Sequence, residues 1–223
     1  MTQTHEERTI SALHSVTSSE WFSPEPICNA AREAMGGEID LDPASCSVAN
    51  RLVKAKKFYS LKNGQDGLRL PWRGRVFHNP PSPPREWWGK AMVERDTEAE
   101  LRSVSERRFQ LCYVAYSVES LQQAQGWSVS MMGFPFCIPK GRVRYMCTAA
   151  DAIAALVRKQ AKRKLSSTEA RRMAQLAGMP ADEIVQGDSP THSSAIVAVG
   201  IELSKFTKAF RSIGECVGGS DNG

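Results

Sequence analysis

Four consecutive residues, Asn79-Pro80-Pro81-Ser82, close a short β-prone run, Arg73-Gly74-Arg75-Val76-Phe77-His78. The two prolines restrict φ and remove two backbone N–H donors, so the carbonyls of this segment can face outward as acceptors. The Asn79 side-chain oxygen adds a second acceptor beside the Pro80 carbonyl. Two acceptors held at a strand end suit a flat NH₂ group, taking its hydrogens and aiming its lone pair at an electrophile. The matching chemistry is methyl transfer to the exocyclic amine of a nucleobase. An aromatic side chain in the fourth position would stack on such a base, and this chain has Ser82 there. Asn-Pro-Pro is also a common plain turn, and only its place after a strand raises it above one.

A second group is acidic. Glu38-Ile39-Asp40-Leu41-Asp42 alternates as a short strand ending in carboxylates and runs into Pro43-Ala44-Ser45. A strand-end acid can bind an ammonium or a ribose hydroxyl, and the same acids fit capping or turn roles. The turn that follows, Pro43-Ala44-Ser45-Cys46, is not glycine-rich, which argues against a diphosphate cradle and hence against NAD or ATP. The six cysteines include no C-x-x-C pair and no His/Cys cluster at ligand spacing, so no metal site is expected and the thiols read as reduced, in a cytosolic protein. Cys137 follows Phe136 rather than proline, so the Pro-Cys nucleophile of cytosine ring-carbon methyltransferases is missing. Cys46 reads as a small packing residue.

These groups need elements to hold them. Pro26 to Met35 reads as a helix closed by Gly36-Gly37, and Ser47 to Lys57 as another. Asp66-Gly67-Leu68 is a turn and Val76-Phe77 a buried strand. Pro84 to about Val104 reads as an amphipathic helix that packs Trp87 and Trp88 on a sheet. Phe109 to Tyr116 is the clearest central strand. A helix follows at Val118 to Gln125, then two strands, Met131 to Pro139 and Arg142 to Met146, joined at Lys140-Gly141. Ser194 to Val199 is a late strand and Leu203 to Ile213 a closing helix. Strands alternating with helices predict an α/β fold on a mostly parallel sheet.

Residues 148–188 differ in kind, being helical in pattern and basic, with Arg158, Lys159, Lys162, Arg163, Lys164, Arg171 and Arg172. Ser166 and Glu169 form a capping-box signature, and Gly178 with Pro180 ends that helix. Thr168 to Val185 has helix-turn-helix spacing, yet Pro180, Asp182 and Glu183 suit a major groove poorly. A basic flap that grips phosphates is the better reading, with a solvated helical face as the plain alternative. The organisation expected is a polar arm at 1–18, a main domain at 19–147 and 189–217, and an inserted subdomain at 148–188. With 223 residues and 41% hydrophobic content, the chain can bury one sizeable core. No apolar run approaches the ~20 residues of a membrane span, and no signal-peptide pattern opens the chain. The formal charge of +5 fits an anionic partner.

In order along the chain, Glu20-Trp21-Phe22-Ser23-Pro24, Glu38 to Ser45, Ala49-Asn50, Val53 to Tyr59, Asp66-Gly67-Leu68, Trp72 with Gly74 to Phe77, Asn79-Pro80-Pro81, Lys140 to Tyr145 and Asp188 to Ser194 form a set. Together they resemble the phage and prophage DNA N-6-adenine methyltransferase family, the Dam-type phage enzymes, over most of residues 20–215. The resemblance implies a Rossmann-like fold with S-adenosylmethionine as cofactor and double-stranded DNA as partner, in the cytoplasm of a bacterial host. It assigns Trp21, Phe22, Ser23 and Pro24 to the methionine end of the cofactor pocket, and Asp40, Asp42, Pro43, Ala44 and Ser45 to the first cofactor motif. Asn79, Pro80, Pro81 and Ser82 fall on its catalytic motif. Trp21 and Phe22 equally fit a plain core role. Ser82 departs from the family pattern and keeps two alternatives open, a catalytically altered DNA-binding relative and a methyltransferase for another base amine.

Overall fold

The computed structural model of the protein describes residues 21–101, 109–187 and 193–219. The polar arm, the far end of the long helix expected after Leu101, and residues 188–192 lie outside them. The chain divides into two compact units, the larger spanning 23–143 and 190–223 and the smaller holding Trp21, Phe22 and 144–189.

The larger unit is α/β, with a seven-stranded, mostly parallel mixed sheet flanked by helices. Its elements are α1 (Glu25–Ala34), β1 (Ile39–Asp42), α2 (Ser47–Val53), β2 (Ala55–Phe58), β3 (Arg75–His78), α3 (Pro84–Leu101), β4 (Gln110–Ala115), α4 (Val118–Ala124) and β5 (Phe136–Pro139). After the smaller unit come β8 (Ala195–Val199), α7 (Leu203–Phe210) and β9 (Gly214–Val217). The strand order is β2-β1-β3-β4-β8-β5-β9. The first four strands are parallel, with Leu41 opposite Val76 and His78 opposite Tyr113. Strand β8 runs antiparallel between β4 and β5, and β9 antiparallel at the β5 edge.

Both faces are covered, which is why β4 and β8 are near-continuous apolar runs. On one face Leu41, Val76, Leu111, Tyr113, Val197 and Val199 join Trp72, Trp87, Trp88, Ala91 and Met92 in a single core. On the other, the Phe206 and Phe210 rings of α7 lie 4.6 Å apart, and α7 packs on α1. Helix α1 ends as expected: Gly37 donates to the Arg32 carbonyl and Gly36 to that of Glu33, both with positive φ.

Several expectations are corrected. The helix expected over Ser47–Lys57 stops at Val53, because Lys54 turns left-handed and the Asn50 side chain bonds the Ala55 backbone both ways. Residues 55–58 then pair with β1 as an edge strand. The strand pair expected around Lys140-Gly141 does not form. Both neighbours of β5 are already taken by β8 and β9, and residues 142–145 are irregular. Met131–Gly133 is a single 3₁₀ turn, and β9 replaces the tail of the expected closing helix.

The smaller unit holds β6 (Met146–Thr148), α5 (Ala149–Ala161), α6 (Ser167–Leu176) and β7 (Ile184–Gln186), with β6 and β7 paired antiparallel. Its described part begins earlier than residue 148 and takes in Phe22, because Phe22 and Met146 exchange backbone hydrogen bonds of 2.7 and 2.8 Å. The capping box at Ser166 and Glu169 is formed. No second helix follows α6, since 181–182 turn and 184–186 are strand, so the helix-turn-helix spacing does not yield that motif.

Candidate functional site at the β1 and β3 strand ends

Strand β1 has β2 on one side and β3 on the other, so the sheet order reverses between β1 and β3. Open parallel sheets bind ligands at such a switch point, outside the carboxyl ends of the strands. Those ends are Asp42-Pro43-Ala44-Ser45 and Asn79-Pro80-Pro81-Ser82. The two segments singled out in the sequence for cofactor and chemistry are therefore neighbours at one sheet edge.

Asp42 is 4% exposed, and no cation stands within ion-pair distance of it among the described residues. The Ala44 amide donates to Oδ1 at 3.2 Å, and the Ser45 hydroxyl relieves the charge slightly without a full hydrogen bond. Burial outweighs both and pushes the Asp42 pKa up to about 7. On the same side lies α1, whose Cys28 thiol donates to the Ser23 carbonyl at 3.5 Å and feels the Asp42 charge. Ser23, Pro24 at the α1 N-cap and Asp42 thus converge around Cys28.

Asp40 does different work. Its carboxylate takes the Arg75 Nε at 2.8 Å, the Arg75 amide at 3.0 Å and Lys56 at 3.3 Å, which hold its pKa well below the usual range. With Glu38 it ties β1 to β2 and β3, and Gly74 leaves it room, since a Cβ there would stand 2.7 Å from Oδ2. This occupies Asp40 in holding strands together, so the strand-end acid with spare capacity for a ligand is Asp42. Pro43 is pressed from behind by Gly67, where a Cβ would lie 1.9 Å from the Pro43 carbonyl oxygen. Cys46 caps α2 through its sulfur, 3.4 Å from the Ala49 amide.

At the β3 end Asn79 is half-buried, Pro80 buried, and Pro81 and Ser82 exposed. The Tyr113 hydroxyl donates to the Pro84 carbonyl at 2.9 Å and fixes where this segment enters α3. Beneath it sits His78, which the sequence reading passed over as one more strand residue. It is fully buried among Trp72 (5.1 Å between ring centres), Trp87 (4.8 Å) and Tyr113 (5.5 Å). Burial lowers its pKa to about 3, so the ring is neutral. Trp87 and Trp88 are core residues, as expected from the helix face, and offer no stacking surface.

Among the described residues the buried side-chain atoms lacking a hydrogen-bond partner are Ser23 Oγ, Ser45 Oγ and both nitrogens of His78. Ser45 belongs to the segment that follows β1, His78 ends β3 just before Asn79, and Ser23 precedes α1. Buried polar groups are ordinarily satisfied, so these atoms are exceptions within the described structure.

Trp21 and Phe22 lie in the other unit. Trp21 is half-exposed and lines a cleft of about 210 Å³ with Asp151, Leu156, Lys159 and Gln186. Gly187 packs against its ring, so near that any Cβ would meet it at 2.2 Å. Residues 144–187 carry eight Lys and Arg against four Asp and Glu, four of the chain's five net positive charges. Arg163 pairs with Glu169, and Arg171 with Asp182 at 3.0 Å. No ion pair engages Lys162, Lys164 or Arg172 among the described residues. Arg158 and Lys159 close the last turn of α5, where they also favour its carboxyl end.

No family model, curated protein or solved structure matches the chain. No described helix is long and apolar enough to cross a membrane, and no described cluster of His, Cys, Asp or Glu could hold a metal ion. All six cysteines are free thiols.

Proposed function

We propose that this chain transfers a methyl group from S-adenosylmethionine to the exocyclic amine of adenine in DNA. The observation that carries the reading is the meeting, at one switch point, of a buried unpaired carboxylate with an Asn-Pro-Pro segment. The residues fit the cofactor: it is cationic and has no phosphate, Asp42 is a buried carboxyl that ionises near neutral pH, and the turn after it lacks a phosphate cradle. Asp42 would accept from its ammonium or ribose hydroxyls, and Ser23 and Ser45 have unmet hydrogen-bonding capacity beside it. When bound, the cofactor supplies an electrophilic methyl group on a sulfonium.

The chain's own contribution is placement. Asn79 and the Pro80 carbonyl accept the two amine hydrogens, which directs the nitrogen lone pair and draws charge toward it. Proximity and orientation supply most of the rate in such a transfer. The base must leave the duplex stack to reach these acceptors. The net positive smaller unit supplies phosphate contacts independent of sequence, chiefly through Lys162, Lys164 and Arg172.

Exposed Ser82 favours a second reading, a DNA-binding relative that captures the base poorly, since lost stacking forfeits ~1–3 kcal/mol. Two measurements decide. Calorimetry should detect S-adenosylmethionine binding, and mass spectrometry should find N-6-methyladenine in DNA from a methylase-deficient host expressing the protein. Binding without any methylated base points to the second reading. Absence of binding overturns both, and a methylated amine on cytosine moves the substrate.

A further inference from the structure

Strands β5 and β9 place two cysteines directly opposite each other, Cys137 against Cys216, in the register Phe136 to Val217 and Ile138 to Glu215. Directly opposed residues on antiparallel strands share a face, with Cα atoms ~4.5–5.5 Å apart. That separation falls inside the ~4.4–6.8 Å range that a disulfide spans. The two thiols are near enough to influence each other's ionisation.

The register is firmly held. Gly214 is pressed so closely on β5 that a Cβ would stand 1.9 Å from the Ile138 carbonyl oxygen. Just past β9, a Cβ on Gly219 would stand 2.1 Å from the Gly133 carbonyl oxygen. Lys140 adds a backbone bond of 3.0 Å to the Ile213 carbonyl. Neither strand can slide without breaking these contacts. The two thiols also differ in access. Cys137 is fully buried, whereas Cys216 is half-exposed on the edge strand.

We propose that Cys137 and Cys216 form a reversible thiol–disulfide site whose reaction partner is a small disulfide such as oxidised glutathione. The Cys216 thiolate attacks one sulfur of glutathione disulfide, breaking its S–S bond and releasing one glutathione thiolate. The Cys137 thiolate then attacks the Cys216 sulfur of the mixed disulfide and releases the second glutathione. Two protein thiols are oxidised, one glutathione disulfide is reduced, and the two cysteine protons pass to the two glutathione thiolates. The product staples the edge strand β9 to β5 with no change of register. Burial raises both thiols above the ordinary cysteine range, so the reaction is slow at neutral pH and accelerates with alkalinity.

The test uses the full chain treated with oxidised glutathione at pH 7 and pH 8, then alkylated under denaturing conditions. The expected result is a loss of two of the six titratable thiols and a linked peptide pair containing Cys137 and Cys216. The rate should rise about tenfold over that pH step. Dithiothreitol should restore six thiols, and the oxidised protein should melt higher than the reduced one. In Cys216→Ser, a substitution at a half-exposed position, the oxidant should produce neither the bridge nor the melting shift. Six persistent thiols, a bridge mapped to other cysteines, or an unaltered oxidation pattern in Cys216→Ser would overturn the proposal.

Discussion

Asp42→Asn separates the electrostatics of the buried carboxylate from its shape. Burial raises the Asp42 pKa from 3.8 to about 7, so the folded chain holds this proton more tightly than the unfolded one. Below pH ~4 the carboxyl is protonated in both states and has no effect. As pH climbs from ~4 to ~7 the unfolded chain ionises first, and stability falls; above ~7 both states are ionised and the loss is complete. At ~1.4 kcal/mol per tenfold difference in proton affinity, the full loss is about 4 kcal/mol. Asparagine keeps the acceptor for the Ala44 amide and cannot ionise. Urea unfolding of both proteins between pH 4 and pH 9 isolates the group, because every other titration cancels in the difference. The variant should match the wild type near pH 4 and exceed it by up to about 4 kcal/mol at pH 8. Cofactor affinity should move the opposite way, with S-adenosylmethionine binding at least tenfold weaker in the variant, and strengthening in the wild type as pH rises toward 7. A stability difference that stays constant across the pH range would refute the buried, unpaired carboxylate on which the site rests.

Asn79→Ala should abolish base methylation while leaving the melting temperature and cofactor affinity near wild type, measured by product mass spectrometry and calorimetry. Changing Lys162, Lys164 and Arg172 to Gln should weaken DNA binding for every sequence and lower the log–log salt slope by about 2.7, read by fluorescence anisotropy across salt concentrations. An unaltered slope would assign that surface to another partner. Gly67→Ala forces a Cβ to 1.9 Å from the Pro43 carbonyl oxygen, and should cost roughly 1–3 kcal/mol in a urea melt together with cofactor binding. Full stability there would mean that the 66–68 turn does not press on the site.

The sequence carried the parts of this fold that local chemistry determines. The β4 run, the α1 helix with its Gly36-Gly37 stop and the Ser166 capping box were all legible because each is decided by adjacent residues. Strands β2 and β9 were not. Ala55-Lys56-Lys57-Phe58 is edge strand only because β1 offers it a partner, and Gly214 to Val217 only because β5 does. Charge at positions 56 and 57 and glycine at 214 are what edges tolerate, and both also suit helices and turns. At the site, the strand-end motifs were readable, but the unlike fates of Asp40 and Asp42 were not. One meets Arg75 from a strand 35 residues on, the other meets burial alone. His78 was hidden for the same reason, since its aromatic cage is assembled from Trp72, Trp87 and Tyr113 across three elements.

The position of β8 has a consequence for how the chain is made. It lies between β4 and β5, yet it is translated after both of them and after the entire smaller unit. Until residues 195–199 emerge, the Leu111–Ala115 edge of β4 has no strand beside it, and β5 has neither of its neighbours. A nascent chain therefore carries an open, apolar sheet edge through the synthesis of more than fifty further residues, a state prone to pairing with other chains. The smaller unit, with its own strand pair and helices and most of the net positive charge, is what is synthesised during that interval, and like-charge repulsion between copies would slow their contact. Joining β4 to β5 is then a single late event, set by the arrival of one five-residue strand, with β9 left to complete the edge.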